Sequence, residues 1–268
     1  MPTSDRSRLR ETFDEVPQLY DRVRPTYPDA LFADLERLSA LPRSGRVLEV
    51  GCGTGQATRG LARLGHEVLC VELGEGLAAL ARERLADHPN VEIVSGAFEE
   101  WDPQGRTFDL VFAATSWHWL DPHRRYVLAA GVLAPSGALS VVTTHHVLPL
   151  GGDPFFVDIR EVYNSIGESD SSPPLPDEVQ DQRDDIESSG LFSDVQVRRY
   201  LCEHSYSADE YLSLLDTYSG HRAMPESERR ALYDAIRRRL SAGPDNMVRK
   251  HYLFVLHVAR RAIDATSS

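Results

Sequence analysis

The first half of the chain alternates short apolar runs with amphipathic segments. A helical pattern of apolar residues follows the second run, and a further helix is predicted over Pro122–Leu133. Short, mostly apolar strands are typical of a parallel sheet that is buried on both faces. The alternation therefore predicts an open α/β sheet with right-handed crossovers. The five predicted strands are Val47–Val50, Glu67–Glu72, Val91–Ser95, Phe108–Ala113 and Ala138–Thr144.

The residues before the first strand predict a helical preface. Apolar residues from Leu9 to Tyr20 share one helical face, and Pro17 is expected to break or kink that helix. Pro28 fits the first turn of a second helix. Because no strand is predicted in this region, we expect these helices to cover an edge of the sheet.

The composition changes after the fifth strand. Residues 168–187 hold eight acids, three prolines and one arginine, which is typical of a solvated loop or a mobile lid. A capping box at Ser207–Glu210 predicts the start of a helix, and another helix is predicted from Pro225. Val248–Val258 then predicts a last strand that can enter the sheet antiparallel.

Charge and composition exclude several classes of function. The 268 residues include 41 acidic and 29 basic side chains, a net charge of −12, which argues against a nucleic-acid partner because phosphate binding requires a positive field. Lys250 is the one lysine of the sequence. We find no secretory signal and no apolar run near the ~20 residues of a membrane span. Three scattered cysteines form no C-x-x-C pair, so we expect a soluble, cytoplasmic protein with reduced thiols.

Three alternating glycines separate the first strand from the next helix. Gly51, Gly53 and Gly55 allow positive φ angles and a close approach of a ligand, and the new helix offers unpaired N–H groups. Doubly wound folds bind nucleotides at this position. A dinucleotide fingerprint would need a third glycine where Gln56 stands, and no P-loop pattern is present.

Two acids narrow the class of ligand. Glu49 stands two residues before the first glycine, where it would repel a pyrophosphate and suit an ammonium group. Glu72 ends the second strand, where an acid accepts hydrogen bonds from ribose hydroxyls. The pair selects a cationic adenosyl ligand without phosphates, and S-adenosylmethionine fits this description.

With these residues, the chain resembles class I S-adenosylmethionine-dependent methyltransferases, in particular the small-molecule branch similar to trans-aconitate methyltransferase. Tyr20–Pro28, Ser116–Leu120 and Tyr218–Arg222 support that branch. The resemblance implies a Rossmann-like, seven-stranded sheet in order 3-2-1-4-5-7-6 with an antiparallel last strand and C-terminal helical cap insertions. It implies a single domain with a preface (1–44), a cofactor-binding core (45–146), an insertion or lid (147–190) and C-terminal strands and helices (191–268).

The resemblance also assigns a cofactor site. At the place where relatives carry Asp-Ala-Glu, this chain has Ala97-Phe98-Glu99, so the usual acceptor for the adenine amino group is missing. We expect no metal ion. The residues expected to contact S-adenosylmethionine are Tyr20, Arg24, Glu49, Gly51, Cys52, Gly53, Thr54, Gly55, Gln56, Glu72, Leu73, Ala97, Phe98 and Ala114.

Histidines near the carboxyl ends of the strands are the candidates for chemistry. Methyl transfer to a hydroxyl requires a base, and histidine is the usual base near neutral pH. His118, flanked by Trp117 and Trp119, follows the fourth strand, and His145 and His146 follow the fifth. We predict His118 and His146 as catalytic. The two tryptophans either stack on a flat substrate or pack the cap onto the sheet.

The leading hypothesis is methyl transfer to a small molecule that is planar or bears a carboxylate, with oxygen as the acceptor atom and carbon or nitrogen as alternatives. An NAD(P)-dependent oxidoreductase is a second hypothesis, against which Gln56 speaks. A non-catalytic module that binds the cofactor is a third. No nucleic-acid or membrane partner is expected, and the sequence leaves the oligomeric state open.

Overall fold

A seven-stranded mixed sheet forms the centre of the computed structural model, which describes residues 17–165, 172–243 and 245–262. The strand order is β3-β2-β1-β4-β5-β7-β6. β1 to β5 run parallel, and β7 is antiparallel to both of its neighbours. This confirms the predicted fold and strand order. The strands are β1 (Arg46–Val50), β2 (Glu67–Glu72), β3 (Val91–Ser95), β4 (Phe108–Ala114), β5 (Leu133–Val147), β6 (Phe192–Ser207) and β7 (Met247–Arg261).

Helices cover both faces of the sheet. They begin where the capping and proline signals predict, since Ser207 and Glu210 form a capping box and Pro28 and Pro225 precede the helices at Asp29 and Glu226. The helices are α1 (Pro17–Val23), α2 (Asp29–Ser39), α3 (Gln56–Arg63), α4 (Glu75–Arg84), α5 (Arg125–Val132), α6 (Phe155–Asp158), α7 (Arg160–Ser165), α8 (Arg183–Ser188), α9 (Ala208–Leu215), α10 (Ser219–Ala223) and α11 (Glu226–Ser241).

Successive residues of β1 face different layers of the core, as the alternation of side chains along a strand requires. Val47 belongs to the apolar cluster that includes α2, α3 and the C-terminal helices. Leu48 and Val50 belong to the cluster on the other face, which includes α5 and α8. Glu49 therefore lies on the same side of the sheet as Val47.

The segment 168–187, predicted as a solvated loop or a mobile lid, contains a short helix in its described part, so the prediction of a loop was wrong for α8. Residues 172–182 have no helix or strand and are mostly exposed. Ile186 on α8 is 1% exposed. Asp185 accepts hydrogen bonds from Arg125 (2.7 Å) and Tyr126 (2.6 Å). The acids of α8 are therefore on its outside, and one apolar residue holds the helix on the sheet.

β5 is longer than predicted at both ends. It is predicted over Ala138–Thr144 but runs from Leu133 to Val147. Leu133 pairs with Phe108 of β4 at its start, and each residue added at its end pairs with β7, as far as Val147 and His251. The first helix of the described chain starts at Pro17, while Leu9 and the rest of the predicted preface before it lie outside the described residues. Across the described ranges, no helix has the length and apolar character of a membrane span.

Candidate active site

A cavity with a volume of about 360 Å³ lies at the carboxyl ends of β1, β2 and β4. We call it the donor cavity. Val50, Glu72 and Ala114, from the ends of these strands, line it together with the glycine turn between β1 and α3. Parallel strands place their carboxyl ends at one edge, which is the position where doubly wound sheets bind ligands.

The glycine turn owes its shape to steric constraints that only glycine meets. Gly51 and Gly55 have φ angles of +73° and +86°. A Cβ at Gly51 would lie 2.6 Å from the Ser116 Cβ, and one at Gly55 would lie 2.7 Å from the Leu85 Cδ1. Gly53 also has a positive φ, +57°, but faces open space. The turn can therefore pack against its neighbours and still leave its middle open to a ligand.

Glu72 joins the two turns that border the cavity. Its Oε2 accepts a hydrogen bond from the Gly53 N–H (2.8 Å), and its Oε1 accepts one from the Gly74 N–H (2.9 Å). A carboxylate offers about four acceptor positions, so both oxygens can accept further bonds from a ligand. Glu72 thus has a positioning role in addition to the ribose contact predicted for it.

Glu49 is a buried acid directly beneath the cavity. Its side chain is 1% exposed, and burial raises its pKa from 4.5 to about 7, although hydrogen bonds from Thr58 and Cys70 oppose the rise. The charge of Glu72 adds to the increase. A cationic group in the cavity would reverse this effect, because an opposite charge favours the ionised carboxylate.

A hydrogen-bonded chain of hydroxyls forms another part of the cavity lining. The Thr115 hydroxyl bonds with the hydroxyls of Tyr27 (3.0 Å) and Thr144 (2.9 Å). Thr115 has a φ of +59°, which is rare for a β-branched residue and occurs where the surroundings enforce it. Arg24 donates to the Thr217 hydroxyl (2.9 Å), and its guanidinium lies 4.4 Å from the centre of the Tyr218 ring.

The three residues Trp117, His118 and Trp119 form a short 3₁₀ turn after β4, and they separate in direction. His118 and Trp119 line the donor cavity, and their ring centres are 4.8 Å apart. Trp117 is 1% exposed and packs against Tyr126 on the other face of the sheet. Of the two alternatives for the tryptophans, packing therefore applies to Trp117.

A second cavity of about 290 Å³ adjoins the donor cavity and shares Arg24, Thr144 and Tyr218 with it. We call it the acceptor cavity. His146 lines it, and burial, together with the charge of Lys250, lowers the pKa of His146 to about 2. An imidazole with so low a pKa is a poor base at neutral pH.

Comparisons with known proteins agree with this geometry. A profile described as a methyltransferase domain matches residues 47–137. An uncharacterized methyltransferase of Mycobacterium tuberculosis is 34% identical over 140 residues, which cover 52% of this chain and 55% of that protein. The trans-aconitate 2-methyltransferase of Variovorax paradoxus is 31% identical over 134 residues, 48% of this chain and 49% of that protein. The chain therefore spans about half the length of the curated relatives that it matches.

These matches and the strand order of the sheet agree with the class I S-adenosylmethionine-dependent methyltransferases. This confirms the resemblance inferred from the sequence. A solved neighbour, phosphoethanolamine N-methyltransferase 2 of Haemonchus contortus in complex with S-adenosyl-L-methionine, has a TM-score of 0.53 at 17% identity, over 92% of this chain and 57% of that one. At this identity the likeness supports the fold alone.

Most residues predicted to contact S-adenosylmethionine line the donor cavity. Gly55 and Ala97 are not among the lining residues, because Gly55 packs under Leu85 and the neighbours of Ala97 face the cavity instead. The side chain of Tyr20 lies outside the described residues. Those that line the cavity are Arg24, Glu49, Gly51, Cys52, Gly53, Thr54, Gln56, Glu72, Leu73, Phe98 and Ala114.

Two other residues singled out from the sequence, His145 and Glu99, do not line the donor cavity. His145 hydrogen-bonds to Thr143 (2.8 Å) and lines neither cavity. Glu99 accepts from the Asp121 N–H (3.2 Å) and is not a lining residue, so it does not replace the missing acid at Ala97. Within the three described ranges, no group of three or more His, Cys, Asp or Glu side chains has a metal-binding arrangement.

Some residues that line the donor cavity have no clear signal in the sequence. Tyr27 occurs in the Tyr20–Pro28 stretch that suggested the branch, yet nothing in the stretch shows that its hydroxyl reaches β4. Gly96 has a φ of +155° and directly precedes Ala97. Both residues enter the cavity only through the folded arrangement of their segments.

Proposed function

We propose that this chain binds S-adenosylmethionine in the donor cavity and transfers its methyl group to an oxygen atom of a small molecule. The observation that carries the proposal is the pair of buried acids beside the glycine turn. Glu49 and Glu72 are 1% and 6% exposed, and both line one cavity. Glu49 beside the glycine turn disfavours the pyrophosphate of a dinucleotide, and Glu72 suits the ribose of a nucleoside, so the pair favours a cationic nucleoside.

Each end of this ligand has a matching group in the cavity. Glu72 has acceptor capacity for ribose hydroxyls, and its two backbone hydrogen bonds keep its orientation fixed. Glu49 suits the amino group of the methionine part. Arg24, held by Thr217 and stacked on Tyr218, suits the carboxylate of that part.

The sulfonium supplies the activated methyl group when the cofactor is bound, so the protein mainly has to orient the acceptor and remove its proton. His118 lines the donor cavity and is exposed enough to exchange protons with solvent. We assign it as the general base for a hydroxyl acceptor. We assign His146 to binding of the acceptor, because its low pKa makes it a weak base.

The similarity to a trans-aconitate 2-methyltransferase supports a small-molecule acceptor. The match covers about half of each chain, from which the substrate does not follow. An NAD(P)-dependent oxidoreductase is disfavoured by Glu49 in the cavity and by Gln56 in place of a third fingerprint glycine. A non-catalytic cofactor module is tested by turnover.

Calorimetric titration with S-adenosylhomocysteine tests the donor site. We expect binding that survives EDTA, and we expect Glu72→Ala to weaken it roughly ten- to hundredfold, equivalent to ~1–3 kcal/mol. Glu75→Ala, an exposed acid three residues away, is the matched control and should leave the affinity unchanged. Unchanged affinity in Glu72→Ala, or loss of binding with EDTA, contradicts the assignment.

Two further measurements separate the alternatives. Titration with NAD and NADP should show no binding. Incubation with S-adenosylmethionine and a metabolite mixture should release S-adenosylhomocysteine. If S-adenosylhomocysteine binds but no mixture supports turnover, the non-catalytic module replaces the enzyme as the better account.

A further inference from the structure

The acceptor cavity contains the one lysine of the sequence. Lys250 lies on β7 and is 3% exposed. Four aromatic rings surround its Nζ, with ring centres at 5.5 to 5.9 Å, and they belong to Phe156, Tyr211, Tyr218 and Tyr252. Aromatic faces stabilise an ammonium group at such distances. A fixed positive charge is thus held inside a cavity with flat, largely apolar walls.

A second cation and two neutral histidines complete the polar part of the lining. Arg24 borders both cavities. Burial and the charge of Lys250 lower the pKa of His221 to about 4, as the same causes do for His146. Both imidazoles are therefore neutral at pH 7. Among the described lining residues of this cavity, none is Asp or Glu.

His146 also offers a buried polar atom that faces this region. Its Nε2 has no hydrogen-bond partner among the described residues, and its ring packs edge-on against Phe156 at 4.5 Å. The corresponding atom of His221, by contrast, is bonded to the Tyr163 hydroxyl (2.9 Å). A buried nitrogen without a partner is costly unless a ligand or water supplies one.

We propose that the acceptor cavity binds a flat small molecule bearing a carboxylate, and that Lys250 is the group that recognises this carboxylate. The inference rests on the proposed function, since it assigns the substrate class of that site. A carboxylate has two oxygens, which can engage the Lys250 ammonium and the His146 Nε2–H. The aromatic walls then contact the body of the molecule.

The size and the position of the cavity agree with this substrate class. A volume of about 290 Å³ is at the lower end of the range for small-molecule sites. Arg24, Thr144 and Tyr218 border both cavities, so a molecule anchored at Lys250 can extend its acceptor atom toward the donor cavity. Recognition of the anion and methyl transfer are therefore carried by different groups of one continuous site.

Paired probes that differ in charge test the proposal. Benzoate and trans-cinnamate are compared with benzamide and trans-cinnamamide by saturation-transfer NMR, using protein saturated with S-adenosylhomocysteine. At least one carboxylate should bind about tenfold or more tightly than its amide, because a charge-assisted hydrogen bond is lost in the amide. In Lys250→Met the preference should disappear, whereas Lys250→Arg should retain it.

The matched control is Arg249→Met, which removes the neighbouring, exposed cation of the same strand and should leave the preference intact. The proposal is overturned if carboxylate and amide bind equally, or if neither carboxylate binds at 10 mM. It is also overturned if inorganic phosphate alone displaces the bound carboxylate. The wild-type ratio is decisive even if Lys250→Met fails to fold. Calorimetry with S-adenosylhomocysteine separates failure of this inference from failure of the proposed function. If S-adenosylhomocysteine binds but the protein shows no preference for the carboxylates, only the inference about Lys250 is refuted.

Discussion

Glu49 should make the free energy of unfolding fall as the pH rises from about 4.5 to about 7. Burial raises the pKa of this carboxyl from 4.5 to about 7 in the folded protein. Between these two values the unfolded chain carries an ionised Glu49, whereas the folded chain carries a protonated one. Folding therefore takes up a proton, and stability is lost as the pH rises through this range and levels off above it.

The size of the effect follows from the two pKa values. At about 1.4 kcal/mol for each pH unit, the difference between 4.5 and about 7 is equivalent to about 3 kcal/mol. Glu49→Gln keeps the shape and the polarity of the protonated acid but cannot ionise. The variant should match the wild type near pH 4.5 and exceed its stability by about 3 kcal/mol at pH 8.

Urea denaturation of both proteins at pH 5, 6, 7 and 8 measures this difference directly. Effects of other titrating groups cancel in the comparison, since the two chains differ at one residue. For a protein of this size the gap at pH 8 corresponds to a shift of roughly 6–12 °C in Tm. A stability difference that does not change between pH 5 and pH 8 would refute the reasoning.

The same change has an opposite effect on ligand binding. An ammonium group beside Glu49 requires the carboxylate form, so the affinity of the wild type for S-adenosylhomocysteine should rise about tenfold per pH unit from pH 5 to pH 6. Glu49→Gln should bind more weakly at pH 8 and lose this pH dependence. A variant that is more stable yet binds less is the signature of an acid held for its ligand.

Three further substitutions test other parts of the site. His118→Ala should lower kcat by roughly 10²–10⁴-fold with little change in S-adenosylhomocysteine affinity, and a near-normal kcat in His118→Gln would assign the residue to packing or orientation. Gly51→Ala should abolish that affinity because its Cβ would lie 2.6 Å from the Ser116 Cβ. Gly65→Ala also places a Cβ at a positive φ but meets no atom within 4 Å and lies outside the cavity, so it should keep the affinity, and equal losses would contradict the steric account. Asp185→Ala should destabilise the protein by about 1 kcal/mol by removing the bonds to its two partners, and a neutral result in denaturation would show that they contribute nothing.

The sheet and the donor cavity could be predicted because local signals and topology act together. Glu49 and Glu72 end up at one edge of the sheet since they stand near the carboxyl ends of adjacent parallel strands. The glycine turn is a short-range feature whose spacing is readable along the chain. These residues therefore reach the same cavity without any need to know how the distant segments pack.

The acceptor cavity could not be predicted in this way. β5 is buried on both faces, so its sequence does not reveal which face borders the cavities, the face of Thr144 and His146 or the face of His145. The position of Lys250 depends on its place in the pairing of β7 with β5 and β6, which joins residues more than a hundred positions apart in the case of β5. Three of its four aromatic neighbours come from other segments, since Phe156 lies on α6, Tyr211 on α9 and Tyr218 directly before α10.

The described part of the predicted lid shows a different limit. Its acids predict a solvated segment, and the acidic side chains of the described part are indeed exposed. Nevertheless, α8 is held against the sheet by Ile186, its single apolar residue, and by the bonds of Asp185 to Arg125 and Tyr126. Composition averages over residues, whereas packing here depends on one side chain at the right place.

A crystal structure of the protein grown with S-adenosylhomocysteine tests the central claim most directly. We predict density for the ligand in the donor cavity, with the ribose hydroxyls on Glu72, the amino group beside Glu49 and the sulfur directed toward the acceptor cavity. Density with the adenosine placed away from the glycine turn would contradict the account, as would an empty donor cavity at saturating ligand.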